Sequence, residues 1–168
     1  MPDYDIIVKA LPTLRFAAIR CPIERFGMAS VSRAVRPHYP TLRRALREAH
    51  IEPVGSPFLV FDSDGCDGQT VHAYASLEVP PGTRGHDLQS PVHLYTLPAV
   101  PHALSVLRHL DDTTHYSDIY EELKTWAHEH RWRPVGAGRD IAIQIGDDGQ
   151  AVMETRWPAV SYTHLTLP

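Results

Sequence analysis

The sequence predicts an α+β fold: two β-α-β-β units sharing an antiparallel sheet with two helices packed on one side. Three observations predict it. Two helical runs, "YPTLRRALREAH" and "YSDIYEELKTWAHEH", each open on Tyr, and each is followed by Pro-Val-Gly, at 53–55 and 134–136. A Leu-Pro step, Leu11-Pro12 and then Leu97-Pro98, breaks the extended chain ahead of each helix. After each helix come an apolar run, a Gly/Asp turn and a second run. One order of features met twice marks an internal repeat. One helix on a small sheet is marginal alone; two such units can share a sheet and bury a common face.

The elements follow in order. "YDIIVK" and "LRFAAIR" read as strands, with Pro12 as the bend between them. Residues 25–36 read as a loop. A helix is predicted over 39–50, because Leu42, Ala45, Leu46 and Ala49 recur at three and four, and Pro53 and Gly55 end it. "PFLVFD" and "TVHAYASLEV" form a hairpin across "SDGCDGQ", whose Gly and Asp suit positive φ. Residues 80–90, "PPGTRGHDLQS", are polar, rich in Gly and Pro, and serve as the linker. "VHLYTLP" and "HALSVLR" then repeat the opening strands, the second ending at Arg108 as "LRFAAIR" ends at Arg20. A helix over 116–130 carries Ile119, Leu123 and Trp126 as its apolar stripe. "RDIAIQI" and "QAVMETRWP" close the chain as a hairpin across "GDDG". One domain, 1–160, thus contains repeats over 4–80 and 91–159.

The tail "SYTHLTLP", 161–168, has no periodicity and no counterpart in the repeat. Its back-translation resembles a read-through sequencing adapter, so it is set apart from the fold.

Composition narrows the function. At 168 residues the chain supports one well-buried core, and its net charge of −4 lacks the basic stripe of a nucleic-acid binder. Arg43, Arg44 and Arg47 beside Glu48 read as a solvated helix face. Cys21 and Cys66 have neither metal nor redox spacing and fit a reduced, cytoplasmic protein. No signal peptide opens the sequence and no apolar run reaches the ~20 residues that span a bilayer. The histidines are scattered; His128 and His130 point to different faces of their helix. No metal site, phosphate loop, nucleotide fingerprint or Ser-His-Asp order is visible.

Taken in order, "YDIIVKALPTLRFAAIR", the Tyr-led "YSDIYEELKTW", "GAGRDIAIQ" and "METRWPAV" resemble the GyrI-like small-molecule-binding domain, a duplicated fold of the SHS2 type. That bacterial domain occurs alone and as the effector-binding part of AraC-type and MerR-type transcription regulators. The resemblance covers nearly the whole chain. It implies two repeats related by a pseudo-twofold axis and a ligand in a groove between them, lined by both helices and the strands beneath, with no cofactor.

Asp140 is the sharpest candidate, a carboxylate in an otherwise apolar strand, where burial without a partner is costly. It resembles the Glu with which multidrug-binding relatives meet cations. It departs from that pattern by one methylene, and Ala142 replaces the usual Tyr. The other reading of Asp140 is an ion pair with Arg139 or Arg20. Glu154 aligns with the closing family Glu and is read either as a ligand contact or as an exposed edge-strand charge. Its strand pairs with that of Asp140, so the two carboxylates are expected to be cross-strand neighbours, which would raise one pKa. Trp126, Trp157, Phe58, Tyr74, Tyr95 and Tyr120 are the aromatic candidates for the groove, while Trp126, Trp132 and Trp157 also suit the core. Tyr116 reads as a helix-start tyrosine shared with Tyr39.

The expected function is stand-alone binding of a small hydrophobic molecule, neutral or cationic, without membrane or direct nucleic-acid contact, since no helix-turn-helix precedes Tyr4. Two alternatives are the effector-binding part of a transcription regulator and a hydrolase of strained cyclopropane-type electrophiles. In the hydrolase, Asp140 would be the catalytic base, although its shorter arm sits further from the water.

Overall fold

The structure is a computed structural model and describes residues 5–23, 28–62, 71–110, 116–136, 138–145 and 151–162. The elements are β1 (Ile7–Leu11), β2 (Leu14–Ile23), α1 (Met28–Val35), α2 (His38–Glu48), β3 (Val54–Asp62), β4 (Val71–Glu78), β5 (Val92–Leu97), β6 (Val100–Leu110), α3 (Tyr116–Glu129), β7 (Trp132–Pro134), β8 (Arg139–Ile145) and β9 (Ala151–Ser161). The α+β class and the antiparallel sheet are those the sequence predicts. No helix among the described residues is long and apolar enough to cross a membrane. Tyr4, Cys66, both hairpin turns and residues 163–168 lie outside the described residues.

Three details differ from the sequence reading. Residues 28–35, predicted as loop, form α1, because Val31 and Val35, four apart, bury one face of a helix. The stripe of α3 is Ile119, Leu123 and Ala127, while Trp126 is half-buried. The short strand β7 was not anticipated. It pairs with the end of β9, Trp132 opposite Ser161, and the Tyr162 amide donates to the Arg131 carbonyl at 2.9 Å.

The sheet runs β1-β6-β9-β8-β3-β4-β2-β5, with β7 on β9. Exchanging the halves (β1 with β5, β2 with β6, β3 with β8, β4 with β9) reads this order backwards. The pseudo-twofold axis therefore passes between β3 and β8, where Leu59 faces Asp140. The first strand of each half does not stay with its own repeat. β1 pairs with β6, and β5 pairs with β2.

Helices α2 and α3 end alike. His50 and Arg131, each five residues ahead of its glycine, have φ of 57° and 62° and are the positive-φ residues other than glycine among the described residues. Gly55 and Gly136 follow with φ of 72° and 71°. The repeated Pro-Val-Gly thus encodes a repeated backbone path, with a left-handed residue closing the helix and a left-handed glycine re-entering the sheet.

Leu59 on β3 packs in the apolar cluster under α1 and α2, with Ala17, Ile19, Leu42, Leu46 and Leu77. Its register partner Asp140 bonds to Tyr120 of α3. All the helices therefore cover one face of the sheet. Each fully buried leucine of α2 contributes roughly 2 kcal/mol. The other face carries a separate cluster of Phe16, Ala18, Phe58 and Val60, edged by Tyr74, Tyr95 and Ile141.

Gly136→Val should lower stability by about 1–2 kcal/mol, the cost of a β-branched side chain at positive φ. Gly82→Ala, where an added methyl meets nothing within 4 Å, should shift stability by under about 0.5 kcal/mol. Urea unfolding of the two variants measures the contrast.

Candidate functional site

The apolar strand β8 carries Asp140 to the middle of the sheet, on the helix-bearing face, where it is fully buried. Three donors meet it. The Arg108 terminal nitrogen lies 3.1 Å from Oδ1 and Thr155 Oγ1 donates to the same oxygen, while the Tyr120 hydroxyl donates to Oδ2 at 3.2 Å. Arg108 Nε also donates to Thr155 Oγ1 at 2.9 Å, closing a ring of contacts. Asp140 is thus ion-paired, as one reading of the sequence had it, but with Arg108 instead of Arg139 or Arg20. Arg20 lies on the other face, 3.2 Å from His72 Nδ1. Burial pushes the Asp140 carboxyl above its ordinary range, and Arg108, Thr155 and Tyr120 pull it back only in part.

Tyr120 is placed from both sides. Trp157 meets its ring edge to face, with centroids 5.0 Å apart, and the Trp157 indole donates to the Gly136 carbonyl at 3.0 Å. Gly138 lies beneath the phenol. A Cβ there would overlap both the Tyr120 ring and its oxygen, so the close approach requires glycine. Asp140, Tyr120 and Trp157 therefore form one constellation. Trp126 joins the same apolar cluster from further along α3, its ring stacked on His130 at 4.0 Å.

The remaining candidates lie on the far face. Phe58 is buried against Phe16 (5.4 Å), Tyr95 stacks on Phe16 (5.5 Å), and Tyr74 meets Tyr95 edge to face (5.2 Å). Glu154 is there too. It accepts from Lys9 and from Ser105 Oγ at 2.7 Å on one oxygen, and from Arg156 at 2.8 Å on the other. It is 7% exposed, so it is not a solvated edge charge. Burial alone would raise its pKa, but the hydrogen bonds from Arg156, Lys9 and Ser105 more than offset this and hold it at about 2.

The expected pairing of Asp140 with Glu154 does not occur. Thr155 faces Asp140, and Glu154 faces Ile141. The register shifts between Ala142 and Gln144, leaving Ile143 as the extra, exposed residue of a β-bulge. One inserted residue reverses which face every later side chain takes, and this separates the two carboxylates by the thickness of the sheet.

Among the described residues no group of three or more His, Cys, Asp or Glu is arranged to hold a metal ion. A depression of about 460 Å³ at the end of α2, lined by Arg43, Arg47, His50, Ile51, Glu52 and Pro53, includes none of the sequence-predicted residues.

The chain shares the fold of the EcmrR C-terminal domain. The two superpose with a TM-score of 0.73 at 14% identity, over 94% of this chain and 98% of that one. In the EcmrR–DNA complex the same likeness spans 58% of the longer chain, at a TM-score of 0.70 and 13% identity. A hydrolase from Listeria innocua matches at 0.61 with 13% identity, covering 95% of this chain and 94% of that one. SAV2435, solved bound to tetraphenylphosphonium, matches at 0.54 with 14% identity, covering 98% of each chain. No family model matches the sequence, and no curated relative does. At these identities the likeness is one of fold, and it bears out the resemblance at that level.

Arg108 and Thr155 were not singled out from the sequence. Alternation along β6 puts Arg108 on the face of the buried Leu104 and Val106, and this is the signal that could have flagged it.

Two consequences can be measured. Asp140→Ala removes the carboxylate that answers the buried Arg108 guanidinium and should cost about 3–5 kcal/mol, whereas combining Asp140→Leu with Arg108→Met should recover most of that loss. The Glu154 pKa is about 2 when folded against 4.5 ordinarily, so its contribution is complete above pH 4.5 and lost as pH falls towards 2. Glu154→Gln should therefore be less stable than the parent by roughly 3 kcal/mol at pH 7, and the gap should close across that window.

Proposed function

We propose that this chain is a single two-repeat domain that binds a small hydrophobic molecule at the seam between its halves, on the helix-bearing face. One observation carries the reading: a buried carboxylate next to the pseudo-twofold axis, capped by a half-buried tyrosine with a tryptophan at its edge. An aromatic ligand displaces the Tyr120 phenol, sets one of its rings against Trp157 in its place, and gains apolar burial at about 25 cal/mol per Å². Because Arg108 balances Asp140, ring area contributes more to affinity than ligand charge. A lipophilic cation remains acceptable, since Asp140 Oδ2 is uncovered once Tyr120 leaves. The likeness in fold to SAV2435, solved with tetraphenylphosphonium, and to the EcmrR C-terminal domain supports this reading. The same site would serve a stand-alone binder or the effector-sensing part of a regulator.

The hydrolase alternative has the Listeria innocua likeness in its favour. It requires an Asp140 oxygen turned to water, where Arg108, Thr155 and Tyr120 now stand.

Titrating the full chain with tetraphenylphosphonium and with neutral triphenylphosphine oxide, read by Trp fluorescence, tests the seam. Both should saturate, with affinities within about tenfold of each other, and Trp157→Phe should weaken both and reduce the signal. Absence of any saturable response from a folded protein would refute the proposal.

A further inference from the structure

Arg139 and Arg156 stand directly opposite one another on β8 and β9, on the face away from the helices and opposite to that of Asp140. Like charges at opposed positions repel. Arg139 is nonetheless only 3% exposed, and Nε of both arginines is buried without a hydrogen-bond partner. Arg156 has Glu154 at 2.8 Å. Arg139 has no ion pair among the described residues. Glu154 is shared with Lys9 and Ser105 as well, so the carboxylate on this face already answers Lys9 and Arg156 and does not reach Arg139. Burial and the neighbouring Arg156 both lower the Arg139 pKa, yet a guanidinium keeps its proton in proteins. A buried cation in this position calls for an anion.

The neighbours indicate what kind. The register places Arg156, Arg139, Val60, Tyr74 and Arg20 in one row across the sheet. Val60 belongs to the aromatic cluster of Phe16 and Phe58, and the half-buried Tyr74 and Tyr95 border it. Cationic groups thus stand at both ends of an apolar, aromatic strip. A guanidinium pair offers a carboxylate donors in a fixed plane, and the ring surface beside it takes a flat apolar body.

We propose that this face is a second small-molecule site, distinct from the seam, which takes an organic anion of the aromatic carboxylate class. The carboxylate lies between Nε of Arg139 and Nε of Arg156, and the ring lies over Val60 and Tyr74.

Calorimetric titration of the full chain with 2-naphthoate, neutral 2-naphthamide and cationic 2-naphthylmethylammonium tests this. Naphthoate should bind at least tenfold tighter than either analogue, and more weakly as salt is raised. Arg139→Met should reduce naphthoate affinity at least tenfold and leave naphthamide affinity unchanged. Arg156→Met, at a partly exposed position, supplies the same test should the first variant not fold. Tyr120→Ala, on the other face, should leave naphthoate binding intact. Naphthoate binding no tighter than naphthamide, retention of its affinity in the arginine variants, or its loss in Tyr120→Ala would each overturn the proposal. None of these outcomes bears on phosphonium binding at the seam.

Discussion

The contact between Arg108 and Asp140 constrains the rest of the molecule. An acid and a base lie almost wholly buried under α3, and they are tolerable there because each answers the other and Thr155 and Tyr120 hydrogen-bond to the carboxyl group. Three strands and a helix must arrive in register for this to happen: β6 brings Arg108, β8 brings Asp140, β9 brings Thr155, and α3 brings Tyr120. The requirement reaches as far as Gly138, which must lack a side chain for Tyr120 to sit where it does. The pair also breaks the internal symmetry. At the axis Asp140 faces Leu59, so one half offers an apolar surface and the other a polar network. A duplicated scaffold has become an asymmetric site.

Much of this architecture was legible in the amino acids. The two Tyr-led helices, the paired Leu-Pro steps and the doubled Pro-Val-Gly are local features, and local features survive in sequence. The backbone gives the last of these its reason, since His50 and Arg131, as well as Gly55 and Gly136, adopt matching left-handed conformations. Asp140 also stood out, as a carboxylate in an apolar strand must. Its partner did not, because Arg108 lies 32 residues away and an arginine near the end of a strand looks like a solvated one.

The aromatic candidates illustrate a different limit. Tyr120 and Trp157 meet, whereas Phe58, Tyr74 and Tyr95 gather on the opposite side of the sheet. Alternation along a strand says which residues share a face, but not which face receives the helices. The single extra residue at Ile143 inverts that parity within β8, and no composition signal marks it. The exchange of β1 and β5 between the halves escaped for a similar reason. Either partner strand offers the same ladder of amides and carbonyls, and only the assembled sheet selects one.

That exchange has a consequence for how the chain reaches its native form. Ile7 pairs with Ser105, so β1, once made on the ribosome, waits for nearly a hundred further residues before its neighbour exists. Pairings so distant in sequence slow folding and prolong the exposure of unmatched strand edges. The amino-terminal half, though complete in its own hairpin and helices, emerges with its outermost strand unattached and needs the later half to hold it.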